Sequence, residues 1–426
     1  MLTADAMNGF KDHVKKTVSH AMYKINSSYY RAEITDIYVD STGKVAIDFT
    51  IDPTMSGTVK IAEVQLYNRS GKLWLTKTEN ITRKSTQEGV FYRFKFKMSD
   101  VIDGAGDSTH PAFIVNGKEV PGIWISKYQN IVNNGRAYSL PGQDPTVNIT
   151  WDTARGYCES KGKGWHMMTK AEWAAIMLWC KKNGFQPWGN NNYGKDSRET
   201  LQQAIPATYG SGTDAGKIYH VLTGTGPLTW SHNKQLDGIW DLNGNVSEWT
   251  GALRTVKGEL QLLENNNGAN SDNPQTATST AWKAIDATTG AFITPDGNGT
   301  TANSIKIDAT GAGGAQWCKT ITKTSENFSC ALGALTCSAD ISDAAKAVLR
   351  AYGLLPVDGA KASDYDDDRL WFNNVADERL FSSGGGYGTG TNAGVGCSHG
   401  NWAGRGTVSV YIGFRSAFAD LESVGL

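Results

Sequence analysis

The closing stretch, residues 384–418, constrains this chain most. Val408, Val410, Ile412 and Phe414 alternate with Thr407, Ser409, Tyr411 and Gly413. A period of two predicts a strand with the first set on a core face and the second set outward. Just upstream, Cys397, His399 and Asn401 alternate with Gly396, Ser398 and Gly400. A thiol, an imidazole and an amide in succession match no catalytic scheme in that order. A display surface accommodates them.

At 426 residues the chain is long enough for two or three domains, at roughly one per 150 residues. A net charge of -1 gives no global field for nucleic acid or an anionic membrane. With 48 Gly, 14 Trp and 16 Tyr but only 19% charged residues, the composition suits a loop-rich fold with a wet recognition surface. The sequence has no apolar run of 18 residues, so no membrane-inserted helix is expected. The first residues, Met1-Leu-Thr-Ala-Asp-Ala-Met, lack a basic head and an apolar core, so Sec export is not expected. Cys158, Cys180, Cys318, Cys330, Cys337 and Cys397 form no C-x-x-C pair, which argues against a zinc knuckle. They are expected as thiols, with a Cys330–Cys337 pair as the alternative.

Residues 3–25 read as an amphipathic helix, with Met7, Phe10, Val14, Val18, Ala21, Met22 and Ile25 at steps of mostly three and four. Residues 28–98 hold alternating runs at 31–39, 44–51, 60–67 and 90–98, separated by turn signals, and suggest a small β-sandwich. Asp100–Pro111 reads as a linker. Further on, 152–161 reads as a helix, and Thr169-Lys-Ala-Glu172 is a capping box opening a second helix that Asn183-Gly184 ends. The Asn-, Thr-, Ala- and Gly-rich segment 252–362 reads as an insertion decorating the domain, with apolar islands at 282–285 and 344–355.

Four motifs follow in order: Trp151-Asp-Thr-Ala-Arg-Gly-Tyr-Cys, Gly164-Trp-His-Met-Met-Thr-Lys-Ala-Glu-Trp, Gly238-Ile-Trp-Asp-Leu-Asn-Gly-Asn-Val-Ser-Glu-Trp-Thr, and Gly384-Gly-Gly leading to Gly413-Phe-Arg. Over about 120–251 and 369–418 this resembles the formylglycine-generating-enzyme (sulfatase-modifying factor) branch of the C-type-lectin-like fold. The resemblance implies an α+β domain of that type at 106–426; before it, the strand spacing suggests a β-sandwich-like module at 1–105, expected to attach or oligomerise the protein. The enzymes of that branch bind copper through a cysteine pair shortly after the Gly-Gly. Here Gly386-Tyr-Gly-Thr-Gly-Thr follows, and Cys397 stands alone and later. One thiol cannot make a two-thiolate copper site. The expectation is therefore a protein that is not an enzyme and requires no cofactor; an oxidoreductase of that branch is the alternative. The resemblance also implies a structural calcium site at Asp241, Gly244, Val246 and Glu248, whose oxygens would suit that ion. Arg415 and Asp241 are expected as a structural pair.

The stretch 384–412, through Ile-Gly-Phe-Arg-Ser-Ala-Phe, is also similar to the variable region of proteins diversified by diversity-generating retroelements. Phage tropism determinants and bacterial surface lectins are the known kinds. The resemblance implies ligand-contacting, substitutable positions at Gly386, Tyr387, Gly388, Thr389, Thr391, Cys397, His399, Asn401, Gly404, Thr407, Ser409 and Tyr411. Val408, Val410, Ile412 and Phe414 would form the scaffold beneath, and Trp402 a fixed support. Implied partners are a host-cell surface protein or glycan, further copies in a homotrimer, and a virion or tail body bound through the N-terminal module. Location on a phage tail is implied, with a bacterial cell surface as the alternative.

Overall fold

The computed structural model describes residues 4–39, 45–51, 58–83, 90–96, 109–311 and 314–426. The chain divides into two units, Met1–Asp100 and Val101–Leu426. The expected linker at 100–111 lies mostly outside the described residues.

In the first unit, helix α1 (Ala4–Thr17) is followed by strands β1 (Val18–Ile25), β2 (Ser28–Val39), β3 (Val45–Ile51), β4 (Val59–Asn68), β5 (Leu73–Arg83) and β6 (Val90–Phe96). The expected helix over 3–25 therefore stops at Thr17. The strand that replaces its second half is irregular: its register on β4 shifts between Val18 and His20. Its fully buried residues are Val18, Ala21 and Tyr23. A bulge inserts an extra residue, so the step from 18 to 21 copies helical spacing. Asn26, in the left-handed region at φ 54°, turns the chain so that Ile25 pairs with Ser28.

The expected β-sandwich gives way to one antiparallel sheet of six strands in the order β5-β4-β1-β2-β3-β6. The 12-residue β2 explains this. Its residues Ser28–Glu33 pair with β1 and its residues Ile34–Val39 pair with β3. Val14 of α1 shares one core with Ala32 and Ile37 of β2, Ile47 and Phe49 of β3, and Val64 and Leu66 of β4.

The second unit is built on a 12-stranded sheet. Its central strand, Ser247–Val256, is buried at every position. Strand Arg379–Gly384 pairs antiparallel on one edge of it, Glu259–Leu263 on the other, and Ile412–Phe414 runs parallel alongside. Helices α2 (Trp151–Glu159) and α3 (Lys170–Lys182) lie where the sequence places them. The capping box is formed: Glu172 N–H donates to Thr169 Oγ1 and Thr169 N–H to Glu172 Oε2. A smaller sheet joins Trp165–Met167, Ser416–Ala419 and Ile123–Ile125, tying the end of the domain to its start.

Residues 252–362 do not merely decorate this sheet. They supply its strands Glu259–Leu263, Lys306–Ala309, Ala315–Cys318 and Thr336–Cys337. Leu260, Ile285, Ile307 and Trp317 share the main core with Trp173, Phe372 and Phe381. The apolar islands become strand Trp282–Ile285 and helix α4 (Asp343–Ala351). All six cysteines are free, so the alternative Cys330–Cys337 pair is not formed.

Candidate functional site

The closing stretch leaves the sheet at Gly384 and Gly385, both in the left-handed region at φ 90° and 73°. A Cβ on Gly385 would lie 2.7 Å from the Cβ of Ala393. This turn starts a loop fastened to the Asn243-Gly-Asn245 motif. Gly244 N–H donates to Gly384 O, and Tyr387 N–H donates to Asn245 O, both at 3.0 Å. Gly244 is itself obligatory, because a Cβ there would lie 2.2 Å from Asn190 O.

The loop carries Tyr387 into a stack of rings. Tyr387 stacks on Tyr219 at 4.4 Å and on Tyr411 at 4.7 Å, and Tyr193 tilts against it at 5.9 Å. Tyr411 is the outer ring, 42% exposed. Tyr387 is buried. Burial holds that phenol above its usual pKa. Tyr219 Oη donates to Asp214, which Lys217 also engages, and the Lys217 ammonium sits 4.8 Å above the Tyr193 ring. His220 reaches both Asp144 and the carbonyl of Val410 at 2.9 Å. None of Tyr193, Asp214, Lys217, Tyr219 or His220 was singled out from the sequence. They lie on loops and the Pro206–Tyr209/Ile218–Val221 hairpin, without periodicity or motif to mark them.

The twelve sequence-derived positions do not form a single outward row. Gly388, Thr391 and Tyr411 are exposed; Thr389, His399, Asn401, Gly404, Thr407 and Ser409 are half-buried; Gly386, Tyr387 and Cys397 are buried. Tyr387 and Tyr411 meet in the ring stack. His399 instead lies flat on Trp371 at 4.1 Å, and Asn401 donates to Asn327 at 3.0 Å. Strand Gly394–Gly400 is interior, between Arg369–Phe372 and Arg379–Gly384, which encloses Cys397 rather than displaying it. Burial pushes its thiol well above the usual value and takes His399, whose Nδ1 lies 3.9 Å from the sulfur, down to about 4. A nucleophilic thiolate–imidazolium pair needs the opposite shifts.

The expected strand over 407–414 is also shorter. Only Ile412–Phe414 is strand, and Val408 and Val410 are 54% and 41% exposed. Ile412 N–H closes a turn onto Ser409 O, and Asn148 N–H takes the same carbonyl, so 407–411 runs as a loop. Trp402, expected as a support, is 43% exposed. The loop carrying Tyr411 thus also exposes Val408 and Val410.

Beneath this loop lies the set expected to hold calcium. The carbonyl oxygens of Asp241, Gly244 and Val246 and Glu248 Oε1 do converge, but on Gln129 Nε2, which lies 3.1, 3.3, 2.9 and 3.1 Å from them and has two N–H groups to share among them. Gln129 is fully buried. With the amide nitrogen at the point of convergence, the residues do not fit a cation. Arg415 pairs with Glu248 and not with Asp241: its Nε and Nη2 each donate to that carboxylate at 2.8 Å. Asp241, at φ 61°, turns its side chain away to accept from Gly224 N–H. Its other oxygen has no partner among the described residues, and burial raises the acid to about 6.

A further buried polar chain supports the strand carrying Cys397. Lys170 Nζ donates to Ser398 Oγ at 3.2 Å, Ser398 meets Ser383 at 3.3 Å, and Ser383 meets Thr250 at 2.9 Å. Lys170 is 1% exposed, and desolvation lowers its pKa to about 8.

A mixed fold around a long sheet, with the Asn-Gly-Asn turn clamping a Gly-Gly loop, defines a domain of the formylglycine-generating type. Residues 76–290 match the sulfatase-modifying factor enzyme 1-like domain family, and the chain belongs to it. That match takes in part of 252–362 and ends before the closing stretch. The chain is 32% identical over 106 residues to the bovine (Bos taurus) protein named inactive C-alpha-formylglycine-generating enzyme 2, covering 25% of this chain and 32% of the relative. The mouse (Mus musculus) protein of the same name is 29% identical over 115 residues, 27% of this chain and 34% of its own. The chain thus spans about a third of the length of these relatives.

Proposed function

We propose that the second unit is a non-enzymatic ligand-binding domain, with its contact surface around Tyr411, Gly388, Thr391, Val408 and Val410. The observation that carries this reading is the ring stack. An exposed tyrosine backed by a buried one, among Gly, Ser and Thr, offers a broad amphipathic contact at low entropic cost, the chemistry of paratopes. The enclosed thiol of Cys397 supports the absence of redox chemistry at this loop, and the word "inactive" in the relatives' names is in keeping with it.

In the finer form of this proposal, the exposed and half-buried positions of 386–411 are diversified by a retroelement. The ligand is a host-cell surface protein or glycan. The protein is a homotrimer on a phage tail, attached by its first unit, or else stands on a bacterial surface. Several copies on one particle would raise weak single-site binding through effective concentration.

Two measurements test it. The purified protein, offered immobilised glycans and bacterial envelope fractions, is expected to bind at least one; copper-loaded protein is expected to leave a cysteine-containing peptide unoxidised. Peptide oxidation with no binding would replace this reading by the oxidoreductase alternative. For diversification, the encoding DNA should lie beside a reverse-transcriptase gene and a near-copy of its closing segment differing at adenines. Absence of that copy removes the retroelement claim and leaves ligand binding standing.

A further inference from the structure

We propose that the side-chain amide of Gln129 replaces a metal ion at the centre of this domain, which makes the folded state independent of calcium. Three carbonyl oxygens and one carboxylate oxygen aimed at a common point are a donor set for a hard cation. Left facing one another without water, they would repel. Here the point is taken by Gln129 Nε2, 2.9–3.3 Å from each of them.

The orientation of the amide follows from backbone groups. Val221 N–H donates to Asn245 Oδ1 at 2.8 Å, which leaves Nδ2 as the other end of that amide. Asn245 Nδ2 donates to Gln129 Oε1 at 2.9 Å. Gln129 therefore presents Nε2, the donor end, to the four oxygens.

Charge points the same way. The one carboxylate in the cage, Glu248, is already matched by the Arg415 guanidinium in a two-pronged pair, with both side chains 0–2% exposed. A divalent ion would add two charges that the Glu248–Arg415 pair does not compensate, which is costly in a dry interior. A neutral amide supplies the positive ends of two N–H dipoles and adds none. Asp241, the other carboxylate near the cage, points to Gly224 N–H through Oδ2 and leaves Oδ1 without a partner among the described residues, so it sends no side-chain oxygen to the point that Gln129 Nε2 occupies.

The test is thermal unfolding of the full chain in millimolar calcium chloride and in EDTA, read by tryptophan fluorescence. The wild type is expected to melt within about 1 °C in both. A wild-type rise on the order of 5 °C or more in calcium, the signature of a folded-state metal site, overturns the proposal. Gln129→Gly empties the centre while leaving all four oxygens. It is expected to melt at least about 4 °C lower in EDTA and to recover in calcium. Unchanged melting in EDTA, or failure of calcium to restore it, also overturns the proposal. Gln129→Glu, which sets an acceptor against acceptors, should show the same calcium rescue; if neither variant folds, the wild-type comparison decides alone.

Discussion

Lys170→Met should stabilise the second unit, although it removes a hydrogen-bonded lysine. Lys170 begins α3, is 1% exposed, and its ammonium donates to Ser398 Oγ at 3.2 Å. Burial lowers its pKa from the ordinary lysine value of 10.5 to about 8. At pH 7 the lysine is charged in both states, so the folded protein carries the full cost of burying the ammonium, about 3 kcal/mol. Losing the bond to Ser398 offsets about 1 kcal/mol. The net expectation is a gain of about 2 kcal/mol at pH 7. The sign reverses the common lysine case: between about 8 and 10.5 the unfolded chain binds more protons, so wild-type stability climbs with pH there. The advantage of the variant should therefore shrink as pH rises from 7 to 10. Of the 14 tryptophans, 13 follow residue 100, so urea unfolding followed by tryptophan fluorescence reports on this unit. A variant less stable than the wild type by a pH-independent margin would refute the reasoning.

Thr169→Ala should cost about 1–2 kcal/mol in the same assay, since Thr169 Oγ1 both caps Glu172 N–H and donates to Asn266. His166 and Glu172 form a buried pair at 2.7 Å. Desolvation lowers the His166 pKa, but the Glu172 charge and hydrogen bond outweigh it and leave it raised above 6.5. The stability this contributes is present below pH 6.5 and is lost as pH rises through the folded value; His166→Gln should flatten that part of the stability profile. Gly385→Ala forces a side chain into φ 73° and to within 2.7 Å of Ala393. It should cost roughly 1–3 kcal/mol and weaken any ligand bound at Tyr411, as read by melting and by titration with that ligand.

Local signals were legible in the sequence where their partners are neighbours in the chain. The Thr169–Glu172 box and the helix ending at Gly184 involve contacts three or four residues apart, and the structure reproduces them. The Asn243-Gly-Asn245 turn was legible for a related reason: its left-handed backbone restricts which residues fit. Residues 18–25 misled because a bulge imitates helical spacing. The closing strand misled in another way. Alternation of valine with threonine and serine over 407–411 satisfies a strand pattern, but no strand pairs there, and the carbonyls of Ser409 and Val410 are taken by Asn148 and His220. At Cys397 the period of two is real, but the strand has neighbours on both sides and a packed face. Gln129 and Tyr219 reach their partners across more than a hundred residues, as in the Gln129–Glu248 contact, and no local pattern records such meetings.

Binding by the Tyr411 surface is the central claim, and a ligand titration of wild type against Tyr411→Ala tests it most directly. Tyr411 is half outside the fold, so its removal should move the melting point by no more than about 1–2 °C. Affinity for the ligand recovered from the glycan and envelope panel should fall at least about tenfold, the scale of losing one aromatic anchor. Unchanged affinity, with the fold intact, would contradict the account.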